Sequence, residues 1–450
     1  MATRFPSEFL WGAGTSSYQI EGGAAEDGRG DSIWDRFVRV PGAIRGGDTG
    51  DVAVDHYHRF EQDVGLMNAI GLRAYRFSTA WPRVLPEGSG RVNAKGLDFY
   101  NRLVDLLLEH DIEPFLTLHH WDLPQALQEK GGWADRATVA AFDSYAEVMV
   151  ASLGDRVRHW STICEPWTIA FLGHASGIHA PGVRDPAKAF VVAHHLLLAH
   201  AAAARSISDA TREVMANLNL YPVYPATDRE EDFKLAAAID GLQNRFFLDP
   251  LLKGAYPDDV LEIVQRIAGL DHVLAGDLDQ IFHSLDEMGV NYYSDYRVEA
   301  HPESPAPSMF PGVGGVRFIE ARKKTLMGWE IHPEGLYEIL VRLKQDYSPI
   351  PLYVTENGAA LKDVVDNGTV HDPDRVTYIH EHVEACHRAL VEGVDLRGYF
   401  VWSLLDNFEW AEGYSKRFGI IWVDEDQTRV LKDSAWWYRD LILGEQQVPA

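Results

Sequence analysis

The fold class that this 450-residue chain predicts is α/β, a single (β/α)8 TIM barrel with loop insertions at the strand C-terminal face. Eight short apolar runs recur along it, and helical patterns lie between them. The repeat of roughly 56 residues per strand-helix unit suits a barrel with inserted loops. A doubly wound open sheet is the rival, and it should carry a Gly-rich phosphate turn after its first strand. Trp11-Gly-Ala-Gly-Thr-Ser-Ser17 has two glycines and lacks the third.

In chain order the strand candidates are 11–20, 74–81, 114–121, 159–165, 214–221, 285–293, 352–356 and 398–405. Each is rich in aromatic or β-branched residues and stops at a turn-forming residue or a polar cluster. Residues 97–110 place Leu97, Tyr100, Leu103, Val104, Leu107 and Leu108 at helical spacing, and 138–153, 186–204 and 376–391 read the same way. The least regular stretch, 300–316, holds Pro302, Pro305, Pro307 and Pro311 and is expected as a long loop shaping the barrel mouth. No linker or repeat divides the chain, so 1–450 is expected to be one domain.

Sixty-seven acidic against 41 basic residues give a net charge of −26. Such a surface repels phosphate backbones and anionic lipid, so neither nucleic acid nor a membrane is the expected partner. The start Met1-Ala-Thr-Arg-Phe-Pro-Ser7 has no apolar signal core, and no run of about 18 apolar residues is read as a bilayer span. The two cysteines, Cys164 and Cys386, imply no disulfide framework and fit a reducing cytoplasm. No phosphate loop, Cys-x2-Cys pair or His-Glu-x2-His occurs, so neither metal nor cofactor is expected. The clusters at Asp55-His-Tyr-His58 and His194-His195 read as structural histidines.

Two glutamates stand out. Glu165, in Trp160-Ser-Thr-Ile-Cys-Glu-Pro166, closes the fourth strand candidate, and Glu356, in Leu352-Tyr-Val-Thr-Glu-Asn-Gly358, closes the seventh. Barrel catalytic groups sit at strand C-termini. Hydrolysis of an acetal needs a proton donor for the leaving oxygen and a second carboxylate on the opposite face. One strand-end glutamate is more simply a salt bridge or cap; two in matching positions favour paired chemistry. Around them the other expected strand ends carry Gln19, Arg76, His120-Trp121, Asn291-Tyr-Tyr293, Trp402 and Glu409-Trp410. A pyranose demands such a mixture, because its hydroxyls need oriented polar partners and its C–H faces pack on aromatic rings.

Phe9-Leu-Trp-Gly-Ala-Gly-Thr-Ser-Ser-Tyr-Gln-Ile-Glu-Gly22, Tyr75-Arg-Phe-Ser78, His119-His-Trp-Asp-Leu-Pro124, Glu165-Pro166, Asn291-Tyr-Tyr293, Thr355-Glu-Asn-Gly358 and Trp402-Ser-Leu-Leu-Asp-Asn-Phe-Glu-Trp410 resemble glycoside hydrolase family 1, the β-glucosidases. The resemblance runs from Phe5 to Trp437. It implies a retaining double displacement on a small-molecule β-glycoside, with Glu165 as acid/base, Glu356 as nucleophile and the carboxyls about 5–5.5 Å apart. It further implies that Tyr293 and Arg76 contact Glu356 and that Gln19, His120, Glu409 and Trp410 hold the 3-, 4- and 6-hydroxyls. Trp402 would be the subsite floor with Trp121 beside it, and Trp329, His179 and Asn219 would face the leaving group. Members acting on phosphosugars have a small hydroxyl residue where this chain has Glu409, whose charge would repel a 6-phosphate. The thioglucosidases lack the acid/base that Glu165 supplies.

One position departs from the family motif. The resemblance expects Asn-Glu-Pro, and this chain has Cys164-Glu165-Pro166. That Asn contacts the sugar 2-hydroxyl in the family, and a thiol is a far weaker hydrogen-bonding group than an amide. Lower turnover and relaxed demand for the 2-hydroxyl are one expectation; a thiol tolerated in a packed strand is the other. Two further readings stay open: a transglycosylating β-glycosidase, and a weakly active carbohydrate-binding relative. Sugar preference among glucose, fucose and galactose, the aglycone and the oligomeric state are not specified.

Overall fold

The computed structural model describes residues 5–210, 212–282, 284–347 and 349–444. Eight parallel strands close into a barrel: β1 (Leu10–Gly14), β2 (Ala74–Ser78), β3 (Glu113–His119), β4 (His159–Cys164), β5 (Glu213–Asn219), β6 (Glu287–Tyr292), β7 (Leu352–Asn357) and β8 (Leu396–Trp402). Each strand pairs with the next in sequence, and β1 closes the ring on β8 with Leu10 opposite Gly398 and Gly14 opposite Trp402. All eight strand candidates lie in this ring, as the α/β barrel reading expects.

Helices α1 (His56–Ile70), α2 (Ala94–Glu109), α3 (Ala137–Leu153), α4 (Pro186–Asp209), α5 (Glu230–Asp240), α6 (Pro333–Asp346), α7 (Pro373–Val391) and α8 (Asp433–Ile442) follow β1 to β8 in turn. Helix α2 shows why the pattern works: Phe99, Tyr100, Leu103, Val104 and Leu107 lie on its inner face and are buried. Helix α4 starts at Pro186 with the Asp185 side chain capping the Lys188 N–H at 3.0 Å. Its segment Pro186–Ser208 is long and apolar enough to cross a membrane, contrary to the sequence reading that no such run exists. Its most apolar stretch is 83% buried among the neighbouring elements, so its apolarity serves the core.

Inside the barrel, Ala74, Phe115, Met215, Tyr353 and Phe400, with Leu10 against them, form a packed floor. His159 stacks on Phe115 at 4.1 Å, and its Nδ1 is hydrogen-bonded to Glu287 Oε2 at 2.9 Å. Above this floor the inward positions turn polar. Ala74 and Arg76 share the inner face of β2, and Phe400 and Trp402 share that of β8, by simple alternation.

Two strands break that alternation where it matters. In β7 the register shifts between Val354 and Glu356, and in β4 it shifts between Ser161 and Cys164. Tyr353 and Thr355 face inward, so strict period two would send Glu356 outward. The irregularity turns it in, as bulges beside active sites commonly do. Gly358 then passes so close to β8 that a Cβ there would overlap the Trp402 carbonyl. The Glu-Asn-Gly sequence is thus a backbone requirement as well as a chemical one.

The loop expected at 300–316 leaves the antiparallel pair Tyr296–Ala300 and Val316–Phe318. It is anchored rather than purely superficial, because Phe310 is buried and Met309 lines the cavity at the barrel mouth.

Candidate active site

Glu165 directly follows β4 with a left-handed backbone, φ 51°. A residue with a side chain adopts that conformation at a cost of about 1–2 kcal/mol. Its N–H is held by the Asn217 carbonyl at 2.9 Å, so the turn is fixed by β5. The carboxyl Oε1 accepts from Asn291 Nδ2 at 2.8 Å and Oε2 from Thr168 Oγ1 at 2.8 Å. Asn219 Nδ2 donates in turn to Thr168 Oγ1 at 3.3 Å, and Thr355 Oγ1 donates to Asn291 Oδ1 at 2.8 Å. Among the described residues, neutral donors alone hold this carboxyl directly.

Glu356 is held differently. Arg76 Nη1 donates to its Oε1 at 2.5 Å and the Tyr293 hydroxyl to its Oε2 at 2.6 Å. Cys164 packs against Glu356 and the Arg76 that grips it. Its Sγ donates to Glu356 at 3.4 Å and accepts from Arg76 Nη2 at 3.1 Å and Asn291 Nδ2 at 3.5 Å. All these side chains are buried.

Burial, reinforced by the negative charge of Glu356, pushes the Glu165 carboxyl up to about 7, and the donors from Asn291 and Thr168 only partly offset it. Burial and the same charge push Glu409 up to about 8, so near neutral pH its protonated carboxyl lacks the charge that the sequence reading expected to repel a 6-phosphate. Burial drives the Cys164 thiol well above its ordinary range and holds His120 well below its own, so the resting site contains a thiol and a neutral imidazole.

A cavity of ≈ 430 Å³ opens over the two carboxyls, lined among others by His120, Trp121, His179, Asn219, Trp329, Trp402, Glu409 and Trp410. The His120 ring lies nearly parallel to Trp402 at 5.7 Å and to Trp410 at 5.9 Å. Trp121 packs on Trp410 at 4.5 Å and donates from Nε1 to the Cys164 carbonyl at 3.0 Å. Trp121 and Trp410 share the left-handed backbone of Glu165, at φ 75° and 46°. Three of the nine non-glycine residues with positive φ among the described residues therefore belong to one site, where strain of this kind concentrates.

Two expected strand ends are corrected. Strand β1 stops at Gly14, and Gln19 sits on the short helix Ser17–Ile20. Glu409-Trp410 follows β8 by an extended loop rather than ending it, and Trp410 opens the helical turn Trp410–Ser415. Both groups still reach the site, because Gln19 Nε2 donates to Asn407 Oδ1 at 3.0 Å, to the Phe408 carbonyl at 2.9 Å and to Glu409 at 3.4 Å.

The structure adds wall residues that no motif signalled: Thr168, Tyr221, Met309, Met327 and Phe418. Thr168 had one local cue, its place three residues after Glu165; the others are far from either glutamate in sequence. Of the histidines set aside as structural, His56 finds Asp63, His58 Asp55 and His194 Asp277, while His195 bonds the Trp133 backbone carbonyl.

A buried carboxyl that holds its proton toward neutral pH can give it to a leaving oxygen. A second carboxylate gripped by a guanidinium and a phenol can receive a developing cation or bond to it. The family model described as Glycosyl hydrolase family 1 matches residues 1–447. The chain is similar to a 1,4-beta-D-glucan glucohydrolase of Thermotoga neapolitana, 49% identical over 98% of each chain. It is also 48% identical to Beta-glucosidase A of Thermotoga maritima over 98% of each chain. Among solved structures, the Thermotoga maritima beta-glucosidase with glucoimidazole superposes with a TM-score of 0.93 at 47% identity, covering 98% of this chain and 99% of that one. The psychrophilic beta-glucosidase of Micrococcus antarcticus gives 0.95 at 49% identity over 98% of each.

Proposed function

The chain belongs to glycosyl hydrolase family 1, and from that premise we propose that it is a retaining β-glucosidase-type enzyme of one domain, releasing terminal non-reducing β-D-glucosyl residues from cello-oligosaccharides or from aryl and alkyl β-glucosides. The observation that carries the reading is the unequal treatment of two buried carboxyls. Glu165 meets neutral donors and is pushed up to about 7, while Glu356 is clamped by Arg76 and Tyr293.

In this proposal Glu165 gives its proton to the glycosidic oxygen as Glu356 bonds to the anomeric carbon, and the alcohol leaves. Glu165, now ionised, takes a proton from water, whose oxygen displaces Glu356 from the same carbon. Two inversions retain the β configuration and consume one water. The chemistry needs no cofactor, since the carboxyls supply both proton and nucleophile.

Gln19, His120, Glu409 and Trp410 take the 3-, 4- and 6-hydroxyls, Trp402 and Trp121 pack against the ring, and Asn291 and Cys164 lie toward the 2-hydroxyl. Trp329, His179 and Asn219 face the leaving group. A cytoplasmic location fits the two free thiols. Activity on a panel of nitrophenyl β-glycosides of glucose, fucose and galactose, with the first-formed anomer read by NMR, tests the proposal. The β anomer first, with glucoside turned over, is expected; the α anomer first would sink the double displacement.

A further inference from the structure

His120, Cys164 and Glu356 come from β3, β4 and β7 or their ends, yet each offers one donor atom and the three atoms lie within 4.8 Å of one another. All three side chains are buried, and His120 and Glu356 also line the cavity, so a small ion has the substrate's own route to them. His120, 1% exposed, has a buried Nδ1 with no hydrogen-bond partner among the described residues, which leaves the ring uncommitted through that atom. Nothing in the hydrolytic chemistry uses the thiol as a donor to a metal.

The donor set selects among ions. Magnesium and calcium require shells of oxygen ligands, and one carboxylate beside sulfur and nitrogen does not provide them. Thiolate and imidazole together suit soft or borderline ions. Charge then separates those. The cluster already contains the Arg76 guanidinium, 3.1 Å from the sulfur and 2.5 Å from the carboxylate. A monovalent ion entering as the thiol proton leaves keeps the total charge unchanged. A divalent ion adds one uncompensated positive charge beside Arg76 in a buried site, where it is costly.

We propose that this cluster captures a soft monovalent cation, copper(I), between the Cys164 sulfur and the His120 imidazole with a Glu356 oxygen as third donor, and that the loaded enzyme is reversibly inactive. The step is an exchange: the S–H bond breaks, an S–Cu bond forms, the proton passes to water in the cavity, and no electron is transferred. Arg76 and Asn291, which already donate to the sulfur, stabilise the thiolate so formed. Glu356 bound to the ion is withdrawn from the anomeric carbon.

The inhibition rests on the glycosidase reading; the binding does not. The test is an anaerobic titration of the full chain with copper(I) against a chromogenic copper(I) chelator, with activity followed in parallel, for the wild type, Cys386→Ser and Cys164→Ser. Cys386 is buried apart from the cluster and serves as the thiol control. The wild type and Cys386→Ser should take up one equivalent, losing activity in step and regaining it with excess chelator. Cys164→Ser should bind at least tenfold more weakly. X-ray absorption of the loaded wild type, which needs no variant, should show sulfur and nitrogen neighbours. Equal uptake by Cys164→Ser, a copper shell without sulfur, or zinc(II) inhibiting at or below the copper(I) concentration would each overturn the proposal. One equivalent bound through sulfur by a protein that proves to have no glycosidase activity would refute the functional reading while leaving the binding site standing.

Discussion

Cys164 Sγ lies 3.4 Å from Glu356 Oε1, so the side chain that precedes one buried carboxyl in sequence touches the other in space. The thiol also accepts from Arg76 and Asn291, which makes it the packing link between the two halves of the site. Where the family resemblance expects an amide, a weak thiol donor thus stands next to Glu356.

Replacing the thiol by the amide should therefore favour substrates that carry a 2-hydroxyl. For Cys164→Asn, the ratio of kcat/KM on a glucoside to that on the matched 2-deoxyglucoside should rise roughly tenfold, the equivalent of one recovered hydrogen bond. An unchanged ratio would mean that the thiol is only tolerated there.

In the proposed mechanism Glu165→Ala removes the proton donor while leaving Glu356 in place. Activity on poor alcohol leaving groups should fall by about 10²–10⁴. A dinitrophenyl glucoside, which needs little protonation, should lose much less, and added azide should restore turnover with a β-azide product. Losses independent of the leaving group would remove Glu165 from this role.

Glu356→Ala should abolish hydrolysis of both kinds of substrate, because no covalent intermediate can form. A steady-state comparison on the same dinitrophenyl and alkyl glucosides checks it; retained turnover of the reactive substrate would point to another nucleophile.

The proton on Glu165 ties the carboxyls together. With its carboxyl pushed up to about 7, the acid is lost, and kcat/KM with it, as pH rises through that region. The negative charge of Glu356 is the second cause of the rise after burial, so Glu356→Gln should lower the Glu165 titration point, read by infrared or carbon NMR of the carboxyl. A point that stays put or moves up would contradict the coupling.

Glu409 gives a stability test. It is pushed up to about 8 by burial and the Glu356 charge, from an ordinary 4.5. Above 4.5 the unfolded chain has released that proton while the folded chain still holds it, so stability falls as pH rises from 4.5 to 8. Glu409→Gln removes the titration and should raise Tm more at pH 8.5 than at pH 5. The gain is on the order of 2–4 kcal/mol at the upper end. Equal shifts at both values would show that Glu409 is not held protonated.

The linear sequence determined the ring of eight strands, because apolar runs with short-range turn residues and intervening 3.6-period helices are local signals. It also marked residues that the barrel brings together around one cavity, since Glu165, Glu356, Arg76, His120, Asn291, Tyr293, Trp402, Glu409 and Trp410 stand in long ordered motifs. It misplaced Gln19 and Glu409-Trp410 as strand ends, because a polar residue looks alike at a strand tip and in the loop beyond it. Tertiary structure decided which way the two buried glutamates face. Period two alone would send Glu356 outward, and the register shift beside Val354 turns it in. The left-handed turn at Glu165 is fixed by a carbonyl on the next strand. The unlike surroundings of the two carboxyls, and the meeting of His120, Cys164 and Glu356, arise only when the barrel closes. Distances between residues hundreds of positions apart depend on strand register and burial, which no local pattern encodes.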